Sequence, residues 1–385
     1  MEWRRPAVRR RPHSDLSDIL AGTGYFGQFG GYTAAYPNLR KNDPRYPTPE
    51  HLLSLVRIGN VDNVGEMTQV TDGSNLIKKA LLEDDPRPLW LVTGGGTNTI
   101  CAALSQVVNQ YQNTPQWDAI RRHIIAKTHV YIILNQDNTL HDYLKPNWPD
   151  LDVILNRWQF FVLAYGWQTF ATPEEQAYLS APFMAQIAKG PILGTYPLVT
   201  PELLQWLSAS GATFNLPIGS FLSEGDAPMY LNLLPVGLRS EENPTWGGWG
   251  GRFEQATNSG WSDVPADLIN GSNTINDFPP NIPPHVTDSG SGSTSPLVQE
   301  GYPQGRWIPA LQNDMLSRSQ WQTLDYAHAN HPPVVFVPRE RQNISAAPGE
   351  LVQLHGFAAD PAYHNHADPD GKRLRTRACK ITQYI

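Results

Sequence analysis

Residues Pro88-Leu-Trp-Leu-Val-Thr93, Gly94-Gly-Gly96 and Thr97-Asn-Thr-Ile100 carry the pattern on which the fold turns. The first six form a continuous apolar run of strand length. Three glycines make a turn, and Thr97 stands at the N-cap of a helix whose apolar positions are Ile100, Leu104, Val107, Val108 and Tyr111. A strand apolar on both faces, a glycine turn and an amphipathic helix together make a β-α unit of a parallel sheet. The unit repeats downstream. A helix over Gln116–Lys127 leads to a strand His129–Leu134 and a polar turn Asn135-Gln-Asp-Asn138, followed by strands at Val153–Leu155 and Phe160–Ala164. This alternation predicts an α/β domain with an open, mostly parallel sheet and helices on both faces.

Upstream, Thr48 and Pro49 read as the N-cap and first residue of a helix that shows Leu52, Leu53 and Val56 on one face and stops at Gly59. A second helix is predicted over Ser74–Glu83. Residues 1–31 lack amphipathic periodicity and end in a glycine-rich stretch, so they are expected to be poorly ordered. Beyond residue 240 the chain turns to long loops, with Trp246-Gly-Gly-Trp-Gly-Gly-Arg252 and the Ser/Gly run Ser289–Ser295. A helix over Ala310–Ala327, ended by His331-Pro-Pro333, and a strand from Val334 close the domain near residue 338. Pro348–His355 then alternates like an exposed strand, and Asp368-Pro-Asp-Gly371 forms a turn. Residues 339–385 are too few for a complete β-sandwich of ~100 residues.

Composition bounds the function. The chain has 385 residues, 40% of them apolar and 17% charged, enough for a sizeable core. No apolar run approaches the ~20 residues of a membrane span, so a membrane is not expected as a partner. Against a net charge of −7, the +4 of residues 1–13 and the +5 of residues 372–385 leave −16 on the body between them. Such a body argues against nucleic acid. Cys101 and Cys379 define neither a disulfide framework nor a zinc site, and Cys101 reads as a small core residue. The basic start runs into Pro12-His-Ser14 rather than an apolar segment, so no signal peptide is read and localisation stays open.

Ligands of open parallel sheets bind outside the carboxyl ends of the strands. That rule selects Gly95, Gly96, Thr97 and Asn98 after the first strand, and Gln136 and Asp137 after the second, as candidate binding residues. The glycine turn is either a tight turn with an N-cap or a cradle for a ligand such as phosphate. Asp137 is either an Asx-turn residue or a ligand for a metal or a hydroxyl. Asp226 precedes Ala227-Pro228 and the apolar stretch Met229–Leu234, so it is either an N-cap or a carboxylate for a hard cation. Trp246 and Trp249 either offer rings to a flat ligand or plug their own loop. His328 and His331 read as structural. His364 and His366 lie in a polar turn.

Seven segments together resemble one family: Tyr36-Pro-Asn-Leu-Arg-Lys41, Asp84-Asp-Pro-Arg-Pro-Leu-Trp90, Gly95-Gly-Thr-Asn-Thr99, Gln136-Asp137, Glu224-Gly-Asp-Ala-Pro228, Trp246–Arg252 and Asp325-Tyr-Ala-His-Ala-Asn-His-Pro332. It is the family of cellulose-binding proteins with a nucleoside-hydrolase-like domain, and the match runs over about residues 32–338. The resemblance implies that fold, followed by an immunoglobulin-like β-domain whose opening strands Pro348–Gly371 resemble. It implies calcium at the carboxyl rim of the sheet, with Asp226 and Asp137 as its ligands here. It places Gly95–Asn98 beside a sugar and makes a nucleoside or a carbohydrate the expected ligand. The family's opening strand and its aspartate cluster have no counterpart in residues 1–31, and Lys372–Cys379 departs from the aromatic strand of the pattern. The resemblance therefore implies a chain truncated at both ends, with calcium bound weakly or not at all. Water attack on an anomeric carbon, the reaction of nucleoside hydrolases, would then be impaired, and the alternative is carbohydrate binding without catalysis. Complete members are expected to be secreted.

Overall fold

A computed structural model describes residues 28–209, 215–256, 260–264, 286–332, 334–336, 347, 352–359 and 378–383, the last three strands by their backbone. The chain divides into two units. Of the described residues, one comprises Leu55–Met184 with Pro197–Leu311; the other comprises those from 28 to Ser54, Ala185–Tyr196 and those from Gln312 onward.

The first unit is built on a five-stranded sheet. Its strands are β1 (Leu89–Thr93), β2 (Thr128–Ile133), β3 (Asp152–Asn156), β4 (Glu254–Gln255) and β5 (Gly260–Ser262), in the order β1-β2-β3-β5-β4. All pairs are parallel except β4 with β5. The expected α/β architecture is therefore present, and the turns after β1 and β2 leave from the same edge. β2 is buried along nearly its whole length, as a central strand with both faces covered must be. Leu91, Val130, Ile132, Val153 and Leu155 share a core with Ile100, Leu104 and Val107 of the helix Asn98–Tyr111 and Ile124 of the helix Trp117–Lys127. On the opposite face, Tyr131, Ile133 and Ile154 pack with Phe160, Met229 and Phe253. Each fully buried aliphatic side chain contributes about 1.5–3 kcal/mol, so these two layers fix the sheet.

Several local expectations change. Phe160–Ala164 is not a strand: Gln159–Leu163 is a 3-10 helix. Its amino end is pinned because the Asp263 carboxylate accepts the amides of Arg157, Trp158 and Gln159 at 2.7–2.8 Å, while Asn156 Oδ1 accepts that of Phe160 at 3.0 Å. A short apolar run is buried equally well in either geometry. The fourth parallel strand is β5 instead, from a stretch that reads as loop. That same stretch also contains the helix Pro296–Gly305. The apolar segment after Asp226 forms only the single turn Pro228–Leu231.

In the second unit, the helix Gln28–Asn42 begins within the segment expected to lack order; residues 1–27 lie outside the described residues. Ala35 and Leu39 pack with Trp321 and Ala329. His331 is buried, stacks on Tyr326 with centroids 4.0 Å apart, and is structural as expected. The helix Ile308–Trp321 ends before the expected Ala327. Three strands, β6 (Val334–Phe336), β7 (Val352–Ala359) and β8 (Ala378–Gln383), form one antiparallel sheet. β8 falls in the basic tail, residues 372–385. One such layer is what the described residues show where the resemblance implies a sandwich. His364 and His366 lie outside the described residues.

Leu104 is fully buried between the sheet and its helix, whereas Val64 is 78% exposed. Leu104→Ala should lower unfolding stability by about 2–5 kcal/mol in urea titration, against less than about 0.5 kcal/mol for Val64→Ala.

Candidate functional site

The parallel strands deliver their turns side by side, and the turn after β1 is enclosed by its neighbours. Thr93 Oγ1 closes it by accepting the Gly95 amide at 3.2 Å and donating to the Gly96 carbonyl at 2.9 Å. From the turn after β2, Gln136 Nε2 donates to the Gly94 carbonyl at 2.5 Å. Asp137 reaches across as well. Its Oδ1 accepts the Thr97 amide at 3.2 Å, the Thr139 amide at 3.1 Å and the Thr139 hydroxyl at 2.8 Å; its Oδ2 accepts the Asn98 amide at 3.0 Å. Thr97 occupies the N-cap position of the helix but makes no side-chain cap. Asp137 supplies the cap from the neighbouring turn, where a negative charge also complements the helix dipole.

Two carboxylates flank the glycines. A Cβ on Gly96 would lie 2.0 Å from Asp137 Oδ2, and one on Gly94 would lie 2.4 Å from the Asp226 carboxyl carbon. Only glycine permits both approaches. A Cβ on Gly95, between them, would meet nothing within 4 Å. The apex of the turn is open, with one acidic group on each side. Phosphate does not suit this place. The amides of Gly95, Thr97 and Asn98 are already donated, and the adjacent carboxylates would repel an anion.

Asp226 differs from Asp137 in having no hydrogen-bond partner among the described residues. It is not an N-cap, because that position is held by Ala227. The residue keeps access to solvent, yet its carboxyl rests on the turn, and loss of water there raises its pKa. Among the described residues, no three His, Cys, Asp or Glu side chains come together to hold a metal. A calcium ion takes six to eight oxygens, and Asp137 gives both of its oxygens to protein donors. The described residues do not fit calcium, so no metal-assisted step follows from them.

A loop over residues 59–71 borders the turn. Asn98 Nδ2 donates to the carbonyls of Asn60 at 2.7 Å and Glu66 at 2.9 Å, which makes its amide nitrogen a brace. Glu66 organises the loop by accepting from Asn60 Nδ2 and from the amides of Thr68 and Gln69. Those donors hold its carboxyl down at about 2. Below the turn, Cys101 is buried and its thiol is pushed up to about 12, so it is no nucleophile.

The tryptophan–glycine segment divides its two rings. Trp249 is 8% exposed and plugs its own loop, while Trp246 is 54% exposed. Gly250 accepts the Tyr131 hydroxyl at 2.6 Å and packs on Asn232. The Gln159 side chain grips both backbone groups of Arg252. The structure thus gathers Gly95, Gly96, Thr97, Asn98, Gln136, Asp137 and Asp226 round one turn. The Trp246 segment packs against the helical turn that follows Asp226. Sequence reading passed over Thr139, Glu66 and Gln159. The spacings Asp137-x-Thr139 and Glu66-x-Thr68 were the available signals for the first two, and Gln159 had none.

A family model described as "Cellulose-binding Sde182, nucleoside hydrolase-like domain" matches residues 28–253. A solved structure, that of a nucleoside hydrolase-related hypothetical protein from Saccharophagus degradans associated with carbohydrate metabolism, is similar at 26% identity and a TM-score of 0.59. The similarity covers 87% of this chain and 70% of the other. No curated protein matches the chain.

Asp137→Ala removes a helix cap and strands three amides, so stability should fall by about 2 kcal/mol or more in denaturant titration. The depressed Glu66 carboxyl holds its loop above the ordinary carboxylate range and releases it as pH falls through about 2. The amide resonances of Thr68 and Gln69 should therefore titrate near that pH rather than near 4.5.

Proposed function

This chain belongs to the family of cellulose-binding proteins with a nucleoside hydrolase-like domain, and we propose that it binds a carbohydrate at the carboxyl rim of its sheet, with Asp226 as the accepting carboxylate. One observation carries the reading: an unpartnered, partly desolvated carboxylate lies against the glycine turn beside an open apex. Sugar hydroxyls are strong donors, and a carboxylate that makes no bond to protein can accept two of them in a fork. A hydrogen bond to a charged group is worth about 1.5–3 kcal/mol, which suits a residue whose own ionisation costs the fold. Gly95 offers room without a side chain, and Asp137 stays committed to its helix. The similar protein's association with carbohydrate metabolism agrees with this ligand class.

A second reading has an observation of its own. Desolvation makes Asp226 a stronger base, as general-base catalysis needs. Asp226 would then take a proton from the water that attacks an anomeric carbon. The C–N bond would break with its electron pair leaving on the nucleobase, which picks up a proton from solvent.

The sign of the linkage gives the test. A carboxylate whose folded pKa is raised contributes full stability below its unfolded pKa and loses it as pH rises through the folded value. Asp226→Asn should therefore unfold no more easily than the parent at pH 7. It should bind cellobiose about tenfold or more weakly in calorimetric titration. The parent's affinity should rise with pH across the Asp226 ionisation. Equal cellobiose binding by parent and variant would remove Asp226 from the site. Ribose released from inosine above background, and lost in the variant, would establish the hydrolytic reading instead.

A further inference from the structure

Trp246 is held in place by more structure than a surface side chain requires. It ends the 3-10 helix Pro244–Trp246, whose amino end Asn243 caps by accepting the Thr245 amide at 2.9 Å. The Arg239 guanidinium lies over the indole, 5.5 Å from its centroid. Glu242 grips that guanidinium with both carboxylate oxygens, at 2.6 Å from Nε and at a second, shorter contact from the terminal nitrogen. Arg239 takes a left-handed backbone, with φ 57°, to reach this position.

This assembly adds little to the fold. A left-handed backbone is disfavoured at a residue that is neither glycine nor asparagine, because its Cβ crowds the following carbonyl oxygen. An exposed cation–π contact and an exposed ion pair each return little, because water screens both. What the clamp achieves is orientation. One face of the indole is under the guanidinium, while 54% of the residue remains in water. Tyr230, on the turn after Asp226, is 60% exposed. A flat ring held by a guanidinium and largely open to water suits the apolar C–H face of a pyranose, and the charged groups at its margin suit the equatorial hydroxyls.

We infer that Trp246 is a stacking platform for a second sugar ring, and that Arg239 is its positioning residue. The ligand class is a β-linked glucan oligosaccharide long enough to touch both the platform and the rim at Asp226. This rests on the carbohydrate reading above and extends it from one sugar to a chain. Affinity must then grow with oligosaccharide length, since each further subsite adds contact without a second loss of translational freedom.

The experiment is a calorimetric comparison of cellobiose and cellohexaose on the full chain, on Trp246→Ala, on Arg239→Gly and on Asp226→Asn. The parent should bind the hexaose about tenfold or more tightly than the biose, and Trp246→Ala should collapse that ratio towards one. Arg239→Gly relieves the backbone and removes the guanidinium, so it should lower the ratio while unfolding at the same or higher denaturant concentration. A merely structural arginine would not separate those two readouts. Asp226→Asn should weaken both sugars together. A parent ratio of one, no glucan binding by the parent, or an unchanged ratio in Trp246→Ala would overturn the platform. Loss of the ratio in Trp246→Ala with full binding by Asp226→Asn would uphold the platform and overturn the rim site.

Discussion

Carboxylates that cross from one β-α turn to cap the helix of the next hold the carboxyl edge of this sheet together. Asp137, after β2, accepts the first amides of the helix that follows β1. Asp263, after β5, accepts three amides at the start of the 3-10 helix that follows β3. Each link exists because parallel pairing brings successive turns to the same edge, where orphan amides of one element face the side chains of its neighbour. Helix and strand are thereby coupled through charge as well as through the apolar layers. Burial pushes the Asp263 pKa up while its amide donors pull it down. The pair of links also decides which acidic groups are free for other work. Of the three aspartates discussed at this edge, Asp226 alone is left without such a bond.

The same edge concentrates conformational cost. Leu134 and Asn138, on either side of Asp137, both adopt left-handed backbones, with φ 60° and 62°. For a bulky residue such as Leu134 this is uncommon, and it is sustained by its amide bond to Asn156 at 3.1 Å and by burial of its side chain. The bends aim Gln136 and Asp137 back at the glycine turn. Beneath the tryptophan–glycine segment, Tyr131 donates to Gly250 and accepts from Asn156, which also reaches Gln304. Among the described residues, both amide atoms of Asn232 and Nε2 of Gln304 are buried without a partner, at about 1–3 kcal/mol each. These costs are offset by the apolar burial on the two faces of β2 and β3.

The parallel sheet was legible in the sequence because a strand buried on both faces must be apolar throughout and its covering helix must be amphipathic. Leu89–Thr93, Thr128–Ile133 and the helix Asn98–Tyr111 obey both conditions within one or two residues of their predicted bounds. The rule that ligands sit at the carboxyl ends of such strands singled out Gly95, Thr97 and Asp137, and the structure brings these residues together at one turn. Where burial is satisfied by either backbone, as at Phe160–Ala164, composition could not choose. The choice fell to Asp263, which lies 104 residues from Gln159. Likewise β5 is too short to carry a period and exists through pairing with β3.

Roles at the rim were decided by tertiary structure alone. Asp137 and Asp226 are the same residue type in similar polar turns, and nothing local distinguishes a cap from an unpaired carboxylate. The difference arises from what the sheet places opposite each one: four donors for Asp137, and the bare Cα of Gly94 for Asp226. Trp246 and Trp249 separate in the same way, one clamped at the surface and the other turned inward, although each is followed by two glycines. Periodicity determines which residues are buried, because burial is a property of an element's own face. Hydrogen-bond partnership and ring exposure are set by neighbours distant in sequence, and only the assembled sheet brings those neighbours into place.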